Sequence, residues 1–271
     1  DITAEADSGG HTDHRPALVL LPLIRSQRDQ VSKEENYPEH GHRIRVGLAG
    51  GLGTPDALWA AFSMGADYVL TGSVNQACVE AGTSPVAKSM LQDAAFTDVS
   101  SGPTPDMFEM GAKVQVLSRG SMYAQRAQRL YDIYKRYDSI EAIPKPERSK
   151  IEKQMFKRDL DEVWAGTKAY WAERDAAQVE RAERDAHYKM ALTFRWYLGM
   201  TSRWARMGEP DRKRDFQVWC GPSMGGFNNW VAGTELEPVE SRGVVGVADA
   251  LMTGAAVQAR VSFARTLGVL P

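Results

Sequence analysis

Apolar residues come in short runs through the first third of the chain and in helical stripes through the rest. Residues 2–6, 44–49 and 68–70 are runs of strand length, and each stops at a glycine turn: Asp7-Ser8-Gly9-Gly10, Gly50-Gly51-Leu52-Gly53 and Thr71-Gly72-Ser73. Residues 16–31 and 55–64 predict helices, each with a proline in the first turn, where its missing N–H costs nothing. The order is βαβαβ, the pattern of a parallel sheet with crossover helices. Residues 32–43 are polar and carry Pro38, Gly41, His40 and His42, which predicts a surface loop with two histidines as weak metal candidates. Beyond Gly102 the spacing turns helical. Leu130, Ile133 and Tyr134, then Ile151, Met155, Leu160 and Val163, then Phe194, Tyr197 and Trp204, and last Val247, Leu251 and Val257 form stripes that predict core contacts.

The 271 residues are 43% hydrophobic and 25% charged with a formal net charge of -2, which excludes disorder over most of the chain and lowers the prior for nucleic-acid binding. Two cysteines, Cys78 and Cys220, make no disulfide framework and suit a reducing compartment, so a cytoplasmic location is expected. No apolar run reaches the roughly 20 residues that span a bilayer, and no membrane association is expected. The basic residues around Arg126, Arg136, Arg148 and Arg158 are interleaved with acids. They predict a solvated helix face, with a docking patch for an acidic partner as the alternative.

The three glycine turns carry the candidate chemistry. Each offers backbone N–H groups at the carboxyl edge of a parallel sheet, where an anion can approach closely. Two in succession, residues 49–54 and 69–73, follow the way (β/α)8 barrels hold a cofactor phosphate after their last two strands. In the first turn Gly9 and Gly10 would let the backbone approach a flat ligand. His11 follows them, either to exchange a proton near neutral pH or merely to tie the loop with Asp13. A metal site from His11, Asp13 and His14 has little support in spacing, and none is expected. Cys78 reads as a buried small residue, Lys113 and Arg119 as candidate contacts for a ligand phosphate, and Cys220 has no histidine near in sequence to activate it.

The runs AEADSGGHTDHRP, RVGLAGGLGTPDA and GADYVLTGSVNQACVEAGTS resemble the FMN-dependent nitronate monooxygenase superfamily. The runs DMFEMGAKVQVLSRG, FKRDLDEVW, RWYLGMTSRWA and WCGPSMGGFN are similar to trans-acting enoyl reductases of polyketide and polyunsaturated fatty acid synthases within it. The resemblance covers essentially the whole chain. It implies an α/β fold in which residues 1–101 are the last three βα units of an FMN-binding (β/α)8 TIM barrel, and residues 102–271 a mainly α-helical substrate and carrier-protein domain. It implies FMN and NADPH as cofactors, with Gly9, Gly10, Gly50, Gly51, Leu70, Thr71, Gly72 and Ser73 on the flavin phosphate side and His11 as proton donor. The implied substrate is an α,β-unsaturated acyl thioester on an acyl carrier protein. A homodimer is compatible with it.

A barrel needs eight strands, and three parallel strands cannot close one. The N-terminal half of the same barrel is therefore expected as a partner. The start at Asp1 with a strand at the second residue predicts that the sequence is a segment of a longer polypeptide, rather than a truncated relative without flavin chemistry. Two rival functions use the same residues: nitronate oxidation with His11 as base, and a non-catalytic docking subunit of a synthase that uses the helices alone.

Overall fold

The structure is a computed structural model that describes residues 1–37 and 44–269. His40 and His42 lie outside them. The elements in chain order are β1 (Ile2–Glu5), β2 (Gly10–His11), α1 (Ala17–Glu34), β3 (Val46–Ala49), α2 (Pro55–Ser63), β4 (Val69–Leu70), α3 (Ser73–Gln76), α4 (Pro85–Gln92), β5 (Val99–Pro103), β6 (Lys113–Leu117), α5 (Tyr123–Arg136), α6 (Lys145–Ile151), α7 (Leu160–Arg174), α8 (Ala176–Arg184), α9 (Ala186–Met207), α10 (Ser223–Val231) and α11 (Val244–Thr266). The fold is mixed α/β, and its chain divides into two units. One comprises Asp1–Val99, Gln115–Arg119 and Trp219–Pro271; the other comprises Ser100–Val114 and Gly120–Val218.

The βαβαβ order is present in the first unit. β1 pairs in parallel with β3, Ile2 opposite Val46 through Glu5 opposite Ala49, and β3 pairs in parallel with β4, Leu48 opposite Val69. Ala4, Val46 and Leu48 are buried, as are Leu21 of α1 and Leu58 and Ala61 of α2. α2 starts where the sequence signals it: Thr54 accepts the Ala57 N–H at 3.3 Å, and Pro55 occupies the first turn. α1 runs three residues past its predicted end, through Ser32, Lys33 and Glu34. These residues tolerate a helix, Gln30 donates to Glu34 one turn on, and the breakers Pro38 and Gly41 come later.

The boundary differs from the single break predicted between residues 101 and 102. The chain leaves the first unit at Val99, re-enters it for Gln115–Arg119 and returns to it at Trp219, so α10 and α11 serve the parallel strands. Helical texture does not reveal which sheet a helix covers. α11 lies along α2, with the Trp59 indole donating to Ser262 at 3.2 Å and Gly254 set so close to Pro55 that a Cβ would stand 2.5 Å away. Buried Arg242 ties the preceding loop through the carbonyls of Leu236 and Glu237 and the side chain of Asn228. Among the described residues α11 is the one helix long and apolar enough to cross a membrane by length and composition. Its interrupted apolar pattern escapes a count of consecutive residues. Val257, expected in the core, is 49% exposed.

The second unit is built from α5 to α9. Leu130, Ile133, Ile151, Met155, Leu160 and Val163 are buried as their spacing predicts. Phe108 meets Tyr131 and Phe194 edge-on at 5.7 and 6.3 Å. One part of the basic stretch is not a solvated face. Arg126 pairs with the buried Asp215, which also takes Arg212 at 3.2 Å and the Tyr197 hydroxyl at 2.5 Å. Arg212 donates in turn to the carbonyls of Met155 and Phe156. Burial, then the Asp215 charge, holds the Tyr197 hydroxyl well above the usual phenol range.

Candidate functional site

The carboxyl ends of β1, β3 and β4 open on one cavity of about 490 Å³ in the first unit. Its lining includes Gly9 from the first turn, Gly50 and Gly51 from the second, and Leu70, Thr71, Gly72 and Ser73 from the third. The structure therefore brings three separately predicted turns to one place. Gly10 and His11 are absent from that lining.

Each glycine has its own physical cause. Gly50 has φ +86°, and a Cβ there would stand 2.6 Å from the Ala6 carbonyl oxygen. Gly9 packs backbone to backbone on Gly221 and Cys220, where a Cβ would come within 2.8 Å. Gly10 has φ +86°, and its Cβ would strike the Trp219 ring at 2.8 Å. So the first pair serves protein packing, a different cause from the approach of a flat ligand. Gly51 and Gly72 face open space: a Cβ at either meets nothing within 4 Å.

His11 lies on β2 with its ring 5.4 Å from the Trp219 ring and nearly perpendicular to it. Trp219 lines the cavity, and the imidazole packs against its ring. The loop tie predicted for His11 and Asp13 is made by other residues. Asp7 Oδ1 lies 2.7 Å from His14 Nδ1 and accepts from Gln115 Nε2 at 2.8 Å, and Gln115 also donates to the Ser8 carbonyl at 2.7 Å.

Sequence reasoning did not reach the residues that close the site. Trp219 and Ser223 line it, and so does Gln76, one turn past the third glycine turn. The Trp219 segment is fixed to that turn: Gln76 Nε2 donates to the Trp219 carbonyl at 2.7 Å, and the Ser73 hydroxyl accepts the Gly221 N–H at 2.9 Å. From the other side Cys220 N–H donates to Gln115 O at 3.3 Å. Glycine and proline in WCGPSMGG are the available signal, but nothing local ties them to residues about 140 positions upstream.

Chemically the cavity is an acceptor-and-donor cradle, with no cation among the described residues that line it. Its polar groups are hydroxyls of Thr3, Ser8, Thr71, Ser73 and Ser223, the Gln76 amide, backbone, and one carboxylate, Glu5, which accepts from Ser8 at 2.8 Å. Open backbone at Gly51 and Gly72 beside hydroxyls fits a phosphate monoester, and Glu5 fits a hydroxylated chain that donates to it. The volume is in the range of small-ligand sites. Both thiols are inert here. Burial pushes Cys220 up to about 12 and raises Cys78 as well. Arg119 is occupied by Asp98 at 3.3 Å, and His187 is stacked on Tyr134 with centroids 3.9 Å apart. Among the described residues no group of three metal-ligating side chains is present.

Fold and site together define a parallel-strand α/β protein with a polar, glycine-lined cavity at its strand ends. Comparison with known proteins narrows this. Residues 137–216 match the family model described as acyl-carrier-protein S-malonyltransferase, inserted helical domain. The chain is 48% identical over 240 residues to a polyunsaturated fatty acid synthase polypeptide of Thraustochytrium sp., across 88% of this chain and 16% of that protein. It is 44% identical over 257 residues to the polyketide biosynthesis protein PksE of Bacillus subtilis, across 95% of this chain and 33% of that one. Among solved structures it is similar to the enoyl reductase domain of MlnA from the macrolactin biosynthesis cluster of Bacillus amyloliquefaciens, with a TM-score of 0.90 and 37% identity over 100% of this chain and 58% of that one. The chain thus spans a third or less of these curated relatives.

Proposed function

We propose that this chain is the C-terminal part of a flavin-dependent enoyl reductase that serves polyketide or polyunsaturated fatty acid synthesis in trans, in the cytoplasm. The observation that carries the reading is the likeness of the whole chain to the MlnA enoyl reductase domain. The three glycine turns that converge on one cavity support it. On this reading β1, β3 and β4 are the last three strands of a TIM barrel, and the N-terminal half of that barrel completes it.

Gly51 and Gly72 would hold the phosphate of FMN through their backbone N–H groups, with Thr71 and Ser73 supplying hydroxyls. When bound and reduced by NADPH, FMN supplies hydride to the β-carbon of the enoyl thioester. His11 supplies the proton that the α-carbon takes up, so one hydride and one proton saturate the double bond. Trp219 orients that imidazole, and the buried Gln115 holds the loop that carries it. The helical unit receives the acyl carrier protein.

The test is the absorbance of the complete protein under anaerobic conditions. The reading expects a yellow protein that bleaches with NADPH and recolours with a crotonyl thioester, and a His11→Ala variant that bleaches but saturates the thioester slowly. Absence of an NADPH response with rapid oxidation of a nitronate would overturn it in favour of a monooxygenase. A colourless protein whose His11→Ala variant leaves product saturation unchanged would leave the docking role.

A further inference from the structure

One side chain of the first turn is used by no step of the proposed chemistry. The His14 imidazole Nδ1 stands 2.7 Å from Asp7 Oδ1. These two residues are the ends of the loop, residues 7–14, that carries His11 between β1 and α1.

Asp7 is the fixed end. Its Oδ1 accepts from Nε2 of the buried Gln115 at 2.8 Å, and its N–H donates to the Arg15 carbonyl at 3.1 Å. An ionised carboxylate only accepts, so the imidazole donates to it through Nδ1. Inside the loop Thr12 Oγ1 accepts the Ser8 N–H at 3.3 Å and the His14 N–H at 3.1 Å, and the Ser8 hydroxyl reaches the His11 carbonyl at 3.5 Å. Ser8 and His14 thus brace the backbone on either side of His11, and the contact with Asp7 closes the loop at its base.

His14 has φ +53°, a left-handed conformation that an L-residue keeps only where its surroundings hold it. The His14 and Asp7 side chains are 49% and 41% exposed, so their pairing adds little to global stability. Its effect is local, on the order of the loop that sets His11 edge-on to Trp219. Position matters there, because a shift of about 1 Å can cost a reacting group about 100-fold in rate.

We propose that His14 is a positioning residue for proton delivery by His11: bound through Nδ1 to Asp7, it closes the loop and holds the His11 imidazole against Trp219. That His11 delivers a proton rests on the proposed function; the closure of the loop rests on the contacts alone.

His14→Ala and His14→Asn in the complete protein separate the possibilities. Alanine keeps the left-handed backbone and removes the imidazole. Asparagine tolerates that backbone and carries Nδ2 as many bonds from it as the imidazole Nδ1. Hydrogen exchange followed by mass spectrometry needs no flavin. It should show residues 8–14 exchanging about tenfold faster in His14→Ala and at the parent rate in His14→Asn, with thermal unfolding unchanged in both. With a crotonyl thioester in D2O, His14→Ala should bleach with NADPH as the parent does and recolour about tenfold more slowly at unchanged KM. Its product should also lose the single configuration of deuterium at the α-carbon, and His14→Asn should restore both rate and configuration. Unchanged exchange or unchanged recolouring in His14→Ala would overturn the proposal. So would a His14→Asn protein as slow as His14→Ala, which would make the imidazole itself a reacting group. A parent that NADPH does not bleach would remove the reductase reading and the proton delivery with it, while exchange still decides the closure of the loop.

Discussion

Replacing Gly50 and Gly72 in turn by alanine separates the glycine that the fold needs from the glycine that leaves room for a ligand. At Gly50 an alanine must adopt φ +86°, a left-handed conformation that costs an L-residue about 1–2 kcal/mol. Its methyl would also stand 2.6 Å from the Ala6 carbonyl oxygen and 2.8 Å from that of Asp7. Both neighbours are backbone at the end of β1, so relief means moving the strand, an overpacking cost of about 1–3 kcal/mol. Lower entropy of the unfolded chain returns about 0.4–1 kcal/mol. The expected net loss for Gly50→Ala is about 1–4.5 kcal/mol, read from urea unfolding followed by circular dichroism. Gly72 has φ -117° and open space at the Cβ position, so the same arithmetic gives no loss and a gain of up to about 1 kcal/mol. Gly72→Ala should nevertheless weaken FMN binding at least tenfold, about 1.4 kcal/mol, by quenching of flavin fluorescence. A Gly50→Ala protein as stable as the parent would refute the steric reasoning. A Gly72→Ala protein that binds FMN with unchanged affinity would refute the phosphate cradle and leave the fold untouched.

Two further outcomes follow from the buried polar groups. Asp215→Ala leaves Arg126 and Arg212 facing each other in the interior without their carboxylate and should cost about 3–5 kcal/mol in urea unfolding, whereas Asp138→Ala on the exposed surface should cost less than about 0.5. Cys220 is held neutral up to about pH 12 in the fold, while its thiol ionises near 9.0 once unfolded. The unfolded chain then binds fewer protons above pH 9.0, so stability falls as pH rises toward 12, by about 1.4 kcal/mol per pH unit from this group. Cys220→Ala should flatten the decline between about pH 9.5 and 10.5; an unchanged slope would assign it to other groups.

Much of the first unit was legible because local signals coincide there. Thr54-Pro55 announces the start of α2, and strand-length runs ending in glycine turns place β1, β3 and β4. The same locality explains what was missed. Gln115 reaches Asp7 across 108 positions, and the Ser73 hydroxyl takes the Gly221 N–H across 148. No periodicity or spacing encodes such pairs, because they depend on tertiary closure of the chain. The misplaced boundary has the same origin. α11 has the texture of the helical unit, yet Gly254 and Ser262 fit it against Pro55 and Trp59 of α2.

The glycine turns show why a site can be visible in a sequence while its working residues are not. One letter stands for three physical demands: a left-handed backbone, a backbone packed too close for any Cβ, and space kept open. Gly50 and Gly10 answer the first two together, and Gly9 the second alone. Gly51 combines the first with open space. Gly72 has neither a positive φ nor a close neighbour, so nothing in the protein excludes a side chain there. Gly72 lines the cavity at the strand ends, so on the proposed function the demand for a bare backbone there comes from the flavin phosphate.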